Sequence, residues 1–191
     1  WADRRSGQQQ ERHLTGKFCG GSAVADGWVV VGEEPEYAFL ATVSRASLAQ
    51  LAQEHWSGAG NLSGEIQATV DLRGKGKTRN NLAGRGSVQL RNANIYQLPA
   101  MVNLLKVLSL RAPDANAFTE SDINFVLQGE HCYLERIDFD GRAISLQGRG
   151  EVNLATEALS LVFRAVVGSD AQRSAGIRQL LGGASQQILL I

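Results

Sequence analysis

The stretch Ala143-Ile-Ser-Leu-Gln-Gly-Arg-Gly-Glu-Val-Asn-Leu154 decides the fold class of this chain. From Ile144 onward its even positions are apolar residues or glycine, and every odd position between them is polar. Because successive side chains of a β-strand point to opposite faces, this alternation predicts a long strand with one dry face and one wet face.

The same period of two recurs along most of the chain. Connections between the alternating segments, such as Asp140-Gly141, are too short for the crossovers of a parallel sheet. The chain is therefore predicted to be mainly β, with a long, coiled antiparallel sheet. Besides residues 144–154, strands are expected in the segments 24–31, 36–44, 65–73, 86–91, 123–127, 137–139 and 159–167.

A short Leu-x-Gly signature accompanies these strands and suggests a repeating unit. The steps from Leu62 to Leu82 and from Leu127 to Leu146 are 20 and 19 residues, which is the size of a β-hairpin. Glycines inside strands permit bends, so we expect a sheet that grows by hairpins and coils into an elongated, taco-like groove. The alternative is chance recurrence in a chain rich in Leu and Gly. The signature occurs at Leu62-Ser-Gly64, Leu72-Arg-Gly74, Leu82-Ala-Gly84, Leu127-Gln-Gly129 and Leu146-Gln-Gly148.

Two segments break the β pattern and are predicted to be helical. Residues 47–56 have apolar residues at helical spacing, with Ser47 placed to cap the first turn. Residues 98–110 begin with Pro99 in a first helical turn and carry only one narrow polar stripe. At 1.5 Å per residue this second helix is about 20 Å long, which is too short to cross a bilayer. We expect it to plug or cap the apolar face of the sheet.

Composition excludes several classes of protein. The 191 residues carry 19 basic and 19 acidic side chains, so the formal net charge is zero, and no basic cluster suggests nucleic-acid binding. The apolar share of 43% is too high for a disordered chain. No apolar run reaches the roughly 18 residues of a membrane span. A start at Trp1 and an apolar end suggest a fragment, with any anchor expected upstream.

The sequence predicts no enzymatic activity, metal site or cofactor. The histidines His13, His55 and His131 have no metal-ligand spacing, and Cys19 and Cys132 are expected to be small buried residues on strands, with a single disulfide as the alternative. Asp138 and Asp140 share a strand face before a turn. That pair could act as acid and base or hold a cation, but a solvated turn face is the favoured interpretation.

The apolar face itself remains to be explained. A long sheet with one dry face can close on itself, pack on a second sheet, or stay open as a trough. An open trough exposes apolar surface at a cost of about 25 cal/mol per Å², so it needs an apolar occupant. Lipid acyl chains or the helix at residues 98–110 are the natural occupants.

Several stretches in the second half resemble the C-terminal region of bacterial AsmA-like proteins, the envelope group that also includes TamB-like members. In this pattern a Gly-rich strand runs into an Asn-Ala-x-Ile turn, a Leu-Pro helix follows, and β-hairpins resume. The match covers residues 84–168, under half of the chain, and its specific part is the order of the motifs. They are Gly84-Arg-Gly-Ser-Val-Gln-Leu-Arg-Asn-Ala-Asn-Ile-Tyr-Gln-Leu-Pro99, residues 101–110, 118–125 and 137–141, and Leu146-Gln-Gly-Arg-Gly-Glu-Val-Asn-Leu154.

The resemblance implies a taco-shaped β-groove at the periplasmic face of the cell envelope, anchored in the inner membrane by an upstream segment. It also implies phospholipid transport between membranes or support of outer-membrane assembly. Phospholipids, and envelope or outer-membrane assembly proteins, would be the partners, and no catalytic residues are implied. The expected organisation is a polar N-terminal segment at 1–12, a β-repeat region at 13–83 and the AsmA-like region at 84–191, continuous with the preceding sheet.

The groove role is carried over to the inward strand positions of the matching region. For each single residue ordinary core packing is an equally good explanation, and a scaffold module that docks a partner protein is the alternative function. A bulge would explain the break in alternation at residues 134–136. The expected lipid-binding residues are Val88, Leu90, Ile123, Phe125, Leu127, Ile144, Leu146, Val152, Leu154, Leu161 and Phe163, and those of the plug helix are Met101, Leu104, Leu105 and Leu108.

Overall fold

The fold is one antiparallel sheet of ten strands, as a computed structural model shows. The structure describes residues 9–55, 62–94, 118–141, 144–167 and 187–190. Strand order in the sheet follows strand order in the chain, so every strand pairs with its neighbours in sequence. This simple meander confirms the prediction of a mainly β, antiparallel protein that grows by hairpins.

The strands are long for a globular protein, and most have nine residues or more. They are β1 (Gln9–Phe18), β2 (Gly21–Val30), β3 (Glu36–Ser47), β4 (Ser63–Lys75), β5 (Ala83–Asn94), β6 (Phe118–Gln128), β7 (His131–Gly141), β8 (Ile144–Asn153), β9 (Leu159–Val167) and β10 (Gln187–Leu190). One α-helix, α1 (Leu48–His55), and a 3₁₀ turn (Arg79–Asn81) complete the described elements.

The sheet is open. Within the described part of the chain, β1 pairs only with β2 and β10 only with β9, so no hydrogen-bonded ladder joins the two outer strands. An open sheet keeps both of its faces and both of its edges, whereas a barrel has no edges. The groove-like fold class predicted from sequence is therefore retained.

One face of the sheet is apolar and the other polar, as β4 illustrates. Ile66 is buried and Ala68, Val70 and Leu72 are partly buried, while Glu65 and every second residue after it up to Lys75 are exposed. The pairing register carries the apolar face from strand to strand. The opposite face is mainly polar, although Val24 and Leu40 are exposed on it. We call the two sides the apolar face and the polar face.

Helix α1 covers one end of the apolar face. Ser47 accepts a hydrogen bond on its Oγ from the backbone N–H of Gln50 at 3.3 Å, which confirms the predicted cap. Leu48 is 3% exposed and Ala52 is fully buried, so the apolar stripe of the helix packs on the ends of β3 and β4. The helix predicted at residues 98–110 lies outside the described residues.

Register shifts interrupt the described ladders in four strand pairs, β3–β4, β4–β5, β6–β7 and β7–β8. The register of β7 against β8 shifts between Leu134 and Ile137, which confirms the bulge expected from the break in alternation. Arg45, in the β3 bulge, and Asn92, near the end of β5, have positive φ angles of 53° and 49°. Each bulge bends its strand and increases the local twist.

Two sequence-based expectations need correction. No strand was predicted over β1, which begins at Gln9, because this exposed edge strand has polar residues on both faces and its alternation is hidden. Cys19 lies in the turn between β1 and β2, with φ 45°, and not on a strand. Both cysteines are free, so the disulfide alternative is contradicted and the prediction of unpaired cysteines is confirmed.

The Leu-x-Gly signature is not one structural unit. Gly64 lies at a bulge with φ 127° and Gly129 lies in a turn with φ 61°, whereas Gly74 and Gly148 lie within regular strands. The hairpin-sized period arises from strand and turn lengths, and the glycines serve different local purposes.

Candidate apolar binding face

Cross-strand pairing aligns the apolar face into rows that run perpendicular to the strands. Two neighbouring rows cross all ten strands with only apolar residues or glycine at every register position, and we call them the middle rows. The first consists of Gly16, Ala23, Val43, Ala68, Val88, Ile123, Ile137, Gly148, Phe163 and Ile188. The second consists of Leu14, Ala25, Ala41, Val70, Gly86, Phe125, Leu134, Gly150, Leu161 and Leu190.

A further row lies beside the middle rows at the end of the sheet that carries α1, and we call it the closed row. Leu146 is 1% exposed, Ala46 is fully buried, and Ser121 is the one polar member of the row. The Ser121 hydroxyl has no hydrogen-bond partner within the described part of the chain. The closed row consists of Ala46, Ile66, Leu90, Ser121, Phe139, Leu146 and Ala165.

The fourth row lies at the opposite end of the strands, and we call it the open row. Its members are partly exposed, and Leu159 is 39% exposed. No residue of this row belongs to the group of buried core residues, although all are apolar or glycine. The open row consists of Gly27, Phe39, Leu72, Gly84, Leu127, Cys132, Val152 and Leu159.

Hydrogen bonds connect neighbouring turns at the open end of the strands. These turns are therefore held in place although the open row beside them is partly exposed. Gly129 donates its backbone N–H to the carbonyl of Leu82 at 2.7 Å, and Leu154 donates to the carbonyl of Glu130 at 2.7 Å. The Arg79 guanidinium in turn donates to the Leu154 carbonyl at 3.0 Å. These bonds link the turns between β4 and β9 into one rim.

Aromatic rings on the apolar face lie over glycines of neighbouring strands. A Cβ atom at Gly86 would come within 2.5 Å of Phe125 Cζ, and one at Gly148 would overlap the ring of Phe163. The Phe163 ring reaches across β8, and its centroid lies 6.0 Å from that of Phe139 on β7. Strands two apart are about 9.5 Å from each other, so this contact depends on the space that Gly148 leaves above β8.

The structure brings most of the sequence-predicted lining residues onto this one face. Val88, Ile123 and Phe163 lie in the first middle row, and Phe125 and Leu161 in the second. The remaining strand residues divide between the two ends. Leu90 and Leu146 belong to the closed row, and Leu127 and Val152 belong to the open row.

Two of the predicted lining residues lie at or just beyond the ends of β8. Ile144 is the first residue of β8 and pairs with Val167. Leu154 lies in the turn after β8, one residue beyond the end of the strand. The plug residues Met101, Leu104, Leu105 and Leu108 lie outside the described residues.

Sequence reasoning missed part of the open row. Phe39 and Leu72 line it from β3 and β4, but neither was among the predicted lining residues. Cys132 was not among them either, yet its register places it between Leu127 and Val152. Burial raises the pKa of the Cys132 thiol, so the neutral form is favoured on this face.

The two carboxylates considered as an acid–base pair lie on the polar face. Asp138 and Asp140 share this face as predicted; Asp138 is buried and accepts a hydrogen bond from Arg136 Nε, whereas Asp140 is exposed. Among the described residues, no three His, Cys, Asp or Glu side chains lie close enough together to hold a metal ion. No helix in the same part of the chain is long and apolar enough to cross a membrane.

Comparison with protein-family models, with curated proteins and with solved structures finds no match to this chain.

Proposed function

We propose that this chain is a non-enzymatic lipid-handling domain that shields acyl chains on its apolar face. The observation that carries the proposal is the pair of middle rows, which cross all ten strands of an open sheet without one polar residue. A protein with no occupant for such a face would be expected to close the sheet or to interrupt the rows with polar side chains.

The dimensions of the face suit acyl chains. Neighbouring rows are two residues apart along a strand, or about 6.8 Å, so the four rows together span about 20 Å. One leaflet of a bilayer has a hydrocarbon thickness of about 15 Å, which is half of the whole core. An acyl chain lying along the strands therefore fits between the open row and the closed row.

The two ends of the strands suggest an orientation for the lipid. Six of the seven side chains of the closed row are buried, so a chain end would stop there. The open row is partly exposed and lies beside a rim with charged residues such as Lys75 and Arg79. A polar headgroup would remain at this end, where water and charged side chains are available.

The cellular role is proposed from the resemblance to AsmA-like proteins. On that basis the domain works at the periplasmic face of the envelope, held by an inner-membrane anchor upstream. It contributes to phospholipid transport between membranes or to outer-membrane assembly. The lack of a charge excess agrees with lipid contact through apolar surface and not through electrostatic attraction.

Lipid content of the purified chain tests the proposal. The chain is expressed in a diderm bacterium, purified without detergent, extracted with organic solvent and analysed by mass spectrometry. We expect co-purified phospholipid in the original chain and a loss of at least about fivefold in Leu127→Glu, because a buried charge on the open row opposes acyl contact. The matched control, Gln128→Glu, places the same charge one residue along on the polar face and retains the lipid.

Closed-row and core positions are unsuitable for this test. Leu146 and Phe163 are 1% and 4% exposed, so a charge there would unfold the sheet and remove lipid for a trivial reason. A folded original chain that carries no phospholipid would contradict the proposal.

A scaffold function is the second candidate, and the outer strand β1 favours it. Leu14 is 57% exposed and the outer edge of β1 has no partner in the described part of the chain. A scaffold would give a stable protein complex and no bound lipid in the same purification.

A further inference from the structure

Strand β1 presents an edge that is complementary to itself. In the described part of the chain its outer edge pairs with no other strand, so a row of backbone N–H and C=O groups is available. On the apolar face, Leu14 and Phe18 are 57% and 40% exposed. Exposed apolar residues beside an unpaired edge are typical of a strand that accepts another strand.

Antiparallel pairing of two copies of β1 about a two-fold axis at Leu14 brings matching groups together. Leu14 then lies opposite Leu14 of the second copy, on the apolar face. On the polar face Glu11 lies opposite Lys17 of the second copy, and symmetry repeats this ion pair. Arg12 lies opposite Gly16, which leaves room for the long side chain. Nine residues, 10–18, take part on each side.

Neighbouring registers lose these matches. A shift of two residues in one direction places Glu11 opposite Thr15, and His13 opposite its own copy. A shift of two in the other direction places Lys17 opposite His13 and Arg12 opposite Phe18. A shift of one residue turns the apolar face of one copy to the side of the polar face of the other. Apolar side chains then lie opposite polar ones. Of these registers, only the one centred on Leu14 sets Glu11 opposite Lys17 and Leu14 opposite Leu14, although it also sets Phe18 opposite Gln10.

We propose that β1 pairs in this register with β1 of a second copy of the chain, which joins two ten-stranded sheets into one. The second middle row then runs from one sheet into the other through the two Leu14 side chains. Glu11 and Lys17 are exposed and have no ion-pair partner within the described residues, so both are free to form the intermolecular pairs. This inference does not depend on the proposed lipid function.

The interface is small, so the dimer is weak. Nine residues of edge pairing bury less surface than the roughly 1,200–2,000 Å² of a standard stable interface. Association is therefore expected in the micromolar range or above, and it weakens with added salt because the two ion pairs are exposed.

Charge reversal tests the register. Sedimentation velocity of the whole 191-residue chain is measured from about 1 to 500 µM at about 50 mM salt, a range chosen for weak association. The original chain is expected to pass from monomer to dimer. In Lys17→Glu, the new Glu of each copy lies opposite Glu11 of the other copy. This repulsion should raise the dissociation constant of the dimer about tenfold. Glu11→Lys should do the same through Lys17.

Two combinations of these substitutions make the test specific for the proposed register. The double variant Glu11→Lys/Lys17→Glu restores both ion pairs and should dimerise like the original chain. An equal mixture of the two single variants also places Glu opposite Lys at both positions, so it should form a heterodimer although neither variant dimerises well alone. Far-UV circular dichroism checks that each variant is folded.

A monomer throughout the concentration range would overturn the proposal. Dimerisation that is indifferent to both charge reversals would overturn the register and hence the proposed pairing.

Discussion

The two ends of the same strands differ in burial although both are apolar. At the closed row Leu146 and Ala46 are buried, whereas at the open row Leu159 is 39% exposed and its neighbours are partly exposed. The register shows that these residues belong to one face. Apolar alternation therefore predicts which face a residue occupies, but the covering of each end decides whether it is core or accessible surface.

This difference suggests that the two ends of each strand have different roles. Fully buried side chains supply most of the packing energy, because each buried apolar group contributes in proportion to the area removed from water. Partly exposed apolar side chains contribute less to folding and are available to a ligand. The closed row would hold the sheet together, and the open row would contact the acyl chain.

The largest effect is expected for truncation at the closed row. Leu146→Ala should lower the free energy of unfolding by about 3 kcal/mol, because it opens a cavity in a packed core. The matched truncation Leu159→Ala at the open row should cost less than about 1 kcal/mol. Urea unfolding followed by circular dichroism measures both. Equal losses would remove the distinction between the two ends.

A smaller effect is expected where an aromatic ring covers a glycine. Gly148→Ala should destabilise the protein by about 2 kcal/mol, because the new methyl group overlaps the ring of Phe163. Gly16→Ala is the control, since no atom lies within 4 Å of a Cβ at that position. Thermal unfolding of dilute samples compares the two variants. A Gly148→Ala protein as stable as the control would show that ring packing over β8 is unimportant.

Removal of the Ser121 hydroxyl should raise the free energy of unfolding, whereas the substitutions above lower it. Its hydroxyl is buried in the closed row without a partner in the described residues, which costs free energy. Ser121→Ala should therefore raise the free energy of unfolding by about 1 kcal/mol in urea titrations. Ser87→Ala on β5 is the control, because Ser87 lies on the polar face and is partly exposed. Destabilisation by Ser121→Ala would mean that the hydroxyl has a stabilising contact.

The smallest effect concerns the reactivity of Cys132. Burial raises the pKa of its thiol, so its thiolate fraction at neutral pH is lower than that of an unburied thiol. Maleimide labelling of the Cys19→Ser variant should be slower than that of a model thiol and should accelerate as the pH rises. Added phospholipid should slow it further by covering the open row. Labelling as fast as the model thiol would contradict burial at this position.

Much of the fold could be predicted from the sequence because the relevant signals are local. Alternation over residues 144–154 identified β8, Ser47 identified the start of α1, and the break at residues 134–136 identified the bulge in β7. Short connections identified the antiparallel pairing. Each of these features depends on residues a few positions apart.

The remaining features depend on pairing between distant segments. The division into closed and open rows follows from register across many strands, and no single strand carries it. Cys132 joined the open row only when its partners Leu127 and Val152 were known. β1 was missed because its polar residues fall on both faces of an edge strand, where burial imposes little pattern.

Photo-crosslinking on neighbouring residues of β6 tests the central claim most directly. A benzophenone amino acid replaces Leu127 on the open row or Gln128 on the polar face, and the chain is irradiated with vesicles of phosphatidylethanolamine and phosphatidylglycerol that carry radiolabelled phosphate. We predict a labelled adduct from position 127 and none from position 128. Equal labelling at both positions, or none at 127, would contradict acyl-chain binding on the apolar face.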